Sequence, residues 1–77
     1  MIKSLILIEG KTVNEENLRI SLANAKHLIV GKAPGLGIVV HVAANTPDDL
    51  RNALIKFAKI EDVKGVNTLI LLLRSSQ

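Results

Sequence analysis

Thr12-Val13-Asn14-Glu15-Glu16-Asn17-Leu18-Arg19-Ile20-Ser21-Leu22-Ala23-Asn24-Ala25-Lys26 is the stretch on which the fold turns. Thr12 and Glu15 have the spacing of a capping box, in which a Thr hydroxyl and a Glu carboxylate satisfy each other's backbone amides. Glu15 and Glu16 suit the positive end of a helix dipole. Leu18, Leu22 and Ala25 recur at helical spacing, and Ile20 and Ala23 widen the stripe. The pattern predicts a first helix from about Val13 to Lys26.

Working outward, residues 2–9 are rich in Ile and Leu and read as a strand, broken at Gly10-Lys11. Leu28-Ile29-Val30 reads as a short strand. Ala33-Pro34-Gly35 is a turn signal, since Pro presets one φ and Gly accepts a positive one. Leu36 to Ala44 is a longer strand with β-branched Ile38, Val39, Val40 and Val42. Thr46-Pro47-Asp48-Asp49 is the strongest helix start: N-cap, first-turn proline and two acids. Leu50, Ala53, Leu54, Phe57 and Ala58 continue it on one face, until Ile60-Glu61-Asp62. Val63-Lys64-Gly65 connects to a last strand, Val66 to Leu73, and Arg74 to Gln77 is a polar tail. The order β-α-β-β-α-β is the ferredoxin-like, split βαβ arrangement of an α+β domain. It predicts one domain over residues 1–77, with a four-stranded antiparallel sheet and two helices on one face. Of the alternating sets on the third strand, the one with Val39, His41 and Ala43 is expected on the open face.

The end strands add a demand. Thr68-Leu69-Ile70-Leu71-Leu72-Leu73 does not alternate, and neither does Leu5-Ile6-Leu7-Ile8. A strand apolar on both sides needs cover on both sides. A chain of 77 residues has helix enough for one. Its core is small, and small domains gain stability from disulfides, metals or oligomerisation. There is no Cys, and two His make no zinc cluster. A second copy of the chain is the simplest missing cover, giving a homodimer and higher oligomers of it. Leu71→Asp is the natural probe if Leu71 faces outward.

Ten Lys and Arg against seven Asp and Glu leave a net charge of +3, spread along the chain without a basic run. That reads as a mixed solvated surface rather than a nucleic-acid patch. No Trp or Tyr is present, and Phe57 belongs to a helix stripe, so base stacking on the sheet is not expected. No apolar run reaches the length of a membrane span, and no signal-peptide layout opens the chain. The expectation is a cytoplasmic protein, complete from Met1, without metal, cofactor or membrane contact.

Lys32-Ala33-Pro34-Gly35-Leu36-Gly37 belongs to the Gly-rich stretch that opens at Gly31. It leads into a strand, not a helix, so a phosphate loop is not expected. A hairpin turn explains it; a ligand pocket completed by a neighbouring subunit is the functional alternative. His41 lies mid-strand among apolar residues, where an interface histidine, a ligand contact and an acid–base role compete. Asn45 is a second polar candidate. His27 sits at an element junction. The acidic pairs Glu15-Glu16 and Asp48-Asp49 are accounted for by helix first turns. Ser4, Ser21, Ser75 and Ser76 have no context that would activate them, and no catalytic residue is assigned.

Val40-His41-Val42-Ala43-Ala44-Asn45-Thr46-Pro47-Asp48-Asp49-Leu50, then Ala53-Leu54 and Phe57, then Ile60 to Val66 and Thr68-Leu69-Ile70 form an ordered series. From Val39 to Leu72 this series resembles the C-terminal effector domain (RAM domain) of the leucine-responsive/asparagine regulator family, Lrp/AsnC. Leu5 to Glu9 is similar to that family's first strand. The resemblance implies sheet-to-sheet dimers of the dimeric α+β barrel type that assemble further. It also implies a small-molecule effector, possibly an amino acid, bound near the loop into the third strand. The role implied is metabolite sensing in transcription regulation, with a full-length family regulator as a further partner. Two departures stand out. No helix-turn-helix is present, so direct DNA contact is not expected. The family's Gly-x-Tyr-Asp falls on Pro34-Gly35-Leu36-Gly37, which has neither Tyr nor Asp. Three rivals remain: a cofactor-free enzyme of the dimeric barrel kind using His41, a purely structural assembly module, and a nucleic-acid accessory domain, which the scattered charge disfavours.

Overall fold

A computed structural model describes residues 1–73. Its elements are β1 (Ile2–Glu9), a single 3-10 turn (Glu16–Leu18), β2 (Ala25–Ala33), β3 (Gly37–Ala44), α1 (Pro47–Ala58) and β4 (Gly65–Leu73). The sheet order is β2-β3-β1-β4, with every neighbouring pair antiparallel. β1 and β2 therefore run parallel with β3 between them, but no α-helix joins them, so the expected ferredoxin-like βαββαβ arrangement with two helices is not formed. The domain is α+β with one helix against a four-stranded antiparallel sheet. The polar tail from Arg74, and the side chains of Leu72 and Leu73, lie outside the described residues.

The first helix, expected over Val13 to Lys26, is not there. Two effects remove it. Asn14 and Asn17 each accept the other's backbone amide on the side-chain oxygen, at 3.1 and 2.8 Å. Such local bonds give the backbone an alternative to helix. The strand also reaches further back than Leu28: Lys26 pairs with Ala43 and His27 with Val42. The sheet takes the residues that would have formed the last helical turn, and Ser21 and Asn24 add little helix propensity before it. Glu15 lies near Lys32 instead of capping, at 3.9 Å.

The rest of the closed face follows the expected pattern. Thr46 Oγ1 accepts the Asp49 amide at 3.1 Å, with Pro47 in the first turn. Leu50, Ala53 and Phe57 are buried against Ile2, Ile6, Ile8, Ile38, Val40 and Val42. Leu18, from the irregular crossover, is fully buried in the same core. His27 stitches the crossover down: its Nε2 lies 2.7 Å from the Leu18 carbonyl. Its ring meets Phe57 edge-on at 5.4 Å. The β2–β3 turn forms as read, with Gly35 at φ +77° and the Leu36 amide on the Ala33 carbonyl.

Two register shifts decide which residues face where. One lies in β2 at Val30, between Ile29 and Gly31; the other lies in β4 at Leu69, where the pairing of β1 shifts between Leu5 and Ile6. A bulge moves the following residues to the opposite face. Thr68 pairs with Ile6, but Ile70 pairs with Leu5 and Leu71 with Ser4. Ser4 is buried on the helix side and donates its hydroxyl to the Ile70 carbonyl at 3.0 Å. Leu71 therefore lies on the helix side, and Ile70 is the residue that faces outward. Leu71→Asp is thus not a probe of the open face.

Candidate functional site

Directly paired residues share a sheet face. The pairing therefore defines the surface that α1 and the crossover leave uncovered. Its central row is Leu28, His41, Leu5 and Ile70, one side chain from each strand. The next row is Gly31, Val39, Leu7 and Asn67. His41 lies on the expected face, with Val39 and Ala43 beside it in β3. Leu28 and Ile70 are 69% and 49% exposed. An apolar band across a whole sheet is more than the scattered surface leucines of an ordinary monomer.

The band has charged ends of opposite sign. At the start of β1, Lys3 and Lys26 flank Ala43. At the end of β1, Glu9 stands between Gly37 and Gly65, neither of which adds a side chain beside it. The Asn67 side-chain amide donates to the Glu9 carboxylate. Among the described residues, Lys3, Lys26 and Glu9 belong to no ion pair.

The eight candidate residues are not brought to one place. Lys32, Ala33, Pro34, Gly35, Leu36 and Gly37 line one cleft of about 150 Å³, together with Lys11 and Asn14 from the crossover. His41 lies about 13 Å further along β3, at a strand rise of about 3.3 Å per residue. Asn45 is at the far end of β3, on an open concavity with Met1, Leu22 and Lys26. The loop cleft is thus apart from His41 and from the Asn45 end, whose concavity shares Lys26 and Ala43 with the basic end of the open face.

Lys11 and Asn14 escaped the sequence reading because their stretch was assigned to a break and a helix. Leu28, Ile70 and the charged ends escaped it because both bulges are invisible in hydropathy. A further apolar groove of about 300 Å³ lies on the helix side, between Ile2, Leu50, Leu54 and Leu71.

Among the described residues, no cluster of three or more His, Cys, Asp or Glu is placed to hold a metal ion. No described helix is long and apolar enough to cross a membrane. His41 has Leu5 and Leu28 as cross-strand neighbours, with no carboxylate or hydroxyl in its row to share a proton. The chain matches no family model, no curated protein and no solved structure.

Proposed function

We propose that this chain is a self-assembling effector domain whose open sheet face is covered by a second copy of itself. One observation carries the reading: the uncovered row Leu28–His41–Leu5–Ile70 runs from one edge of the sheet to the other. Burying such a row contributes roughly 25 cal/mol per Å² of apolar surface, against which the lost freedom of two bodies must be set. The pair of stacked sheets is then of the dimeric α+β barrel kind, each sheet with its single helix outside. His41 is an interface residue in this reading, which suits its apolar neighbours better than proton transfer does.

The test is native mass spectrometry beside light scattering over a concentration series. Dimers, or multiples of dimers, are the expected species. Leu28→Asp and Ile70→Asp place charge in the band and should each weaken the dimer by about tenfold or more. A monomer at high micromolar concentration ends the proposal.

The small-molecule half of the reading rests on the loop cleft. Lys11, Asn14 and Lys32 bring donors to the rim formed by Lys32 to Gly37. The resemblance to effector domains of the leucine-responsive/asparagine regulator family supports a small metabolite there, sensed for transcription regulation. A full-length regulator of that family is then a natural further partner. A thermal-shift screen of amino acids and small carboxylates is the check. A hit that Lys32→Ala abolishes supports the cleft; a flat screen leaves the chain as an assembly module alone.

A further inference from the structure

We infer that the two copies meet about a twofold axis running across the strands, so that Glu9 of each lies over the Lys3–Lys26 end of the other. The inference rests on the assembly reading above and adds its orientation. Two simple twofold arrangements stack one such sheet on another. An axis along the strands sets the basic end over the basic end. An axis across the strands reverses strand direction and sets basic over acidic, twice per dimer. Lys3 and Glu9 are six residues apart on β1, about 20 Å at strand rise. That is well beyond the screening length at physiological salt, so each end acts separately. Like charges juxtaposed at an interface select against the wrong arrangement.

Except at the β4 edge, where Ile70 meets Asn67, the rows fit the same axis. Its midpoint falls between the row of Leu5 and the row of Leu7, so these rows meet each other. Each strand lies over its own equivalent. Leu5 then meets Leu7, and His41 meets Val39. At the β2 edge, the exposed Leu28 comes over Gly31, where nothing lies within 4 Å of a would-be Cβ. A large side chain is thus set over an open position. Four strands of this length cover about 26 by 19 Å, or roughly 500 Å² on each copy. Two copies bury about 1,000 Å² or more, the lower bound of a specific interface.

The experiment is a charge-swap cycle. Glu9→Lys and the double variant Lys3→Glu/Lys26→Glu are made separately, checked for wild-type far-UV circular dichroism, then mixed. Each alone should dimerise about tenfold or more weakly than the wild type. The mixture should form heterodimers in clear excess over both homodimers, which shows that the ends meet across the interface. The weakened homodimers show which end meets which, since the axis along the strands would leave Glu9→Lys as strong as the wild type. Homodimers of wild-type strength, or a purely statistical mixture, overturn the orientation while leaving assembly standing. A monomeric wild type overturns both. If a reversal variant does not fold, Glu9→Gln decides instead. Wild-type dimerisation should weaken from 50 to 500 mM salt, and that dependence should largely vanish in Glu9→Gln. An unchanged salt slope overturns the orientation.

Discussion

The two crossovers of this domain do the same topological task by different means. Residues 10–24 and residues 45–64 each join two parallel strands across an intervening antiparallel one. The second does it with a helix, Pro47–Ala58; the first does it with one 3-10 turn and extended chain. Both begin with a Thr followed three residues later by an acid, Thr12 to Glu15 and Thr46 to Asp49. Only Thr46 makes its bond, because Pro47 and the stripe Leu50, Ala53 and Phe57 follow it. A cap selects where a helix starts once packing has paid for the helix; it does not create one. In the first crossover Val13 and Leu18 enter the core without a helical stripe, and Asn14 and Asn17 bond each other.

The comparison can be broken by mutation. Phe57→Ala should cost most, about 3–5 kcal/mol, since it empties the centre of the core and takes away the ring that His27 meets. For a domain this small that approaches the total stability, and urea titration followed by circular dichroism should show little cooperative transition. Leu18→Ala should cost about 2–4 kcal/mol by the same measurement. A value near zero would mean that the crossover is not held to the sheet. Thr46→Ala should cost about 1 kcal/mol through the lost cap.

The smallest effect is the sharpest test of the contrast. Thr12→Ala should change stability by less than about 0.5 kcal/mol, within the range of surface substitutions. A loss equal to that of Thr46→Ala would restore a capped first helix. Far-UV circular dichroism should likewise report, for the described residues, the 12-residue helix Pro47–Ala58 alone. A content near twice that would contradict the first crossover as described.

Where neighbours in sequence decide, the reading was accurate. The Thr46-Pro47-Asp48-Asp49 helix start, the Pro34-Gly35 turn and the alternation that sends Val40 and Val42 inward and His41 outward all came from local rules. The first helix was misread because its signals were real but weak. A capping box and a broken stripe could not compete with eight paired residues of β2, Ala25–Ala33, against β3. The candidate loop Lys32 to Gly37 was legible as a turn. Its company, Lys11 and Asn14, was not, because their approach depends on the path of the crossover.

By itself the sequence determined an α+β chain with strands apolar on both faces, one strongly specified helix, and no aromatic or thiol chemistry to spend on the exposed face. Those are properties of composition and of contacts between near neighbours. Only the tertiary structure decided that a single helix covers the sheet and that Leu71 lies on the helix side while Ile70 lies on the open one. It alone placed Lys3, Lys26 and Glu9 at opposite ends of one apolar band. The physical reason is register: one extra residue at Val30 and one at Leu69 reassign whole strand segments between faces, and pairing across the sheet, not hydropathy along it, sets where those residues fall.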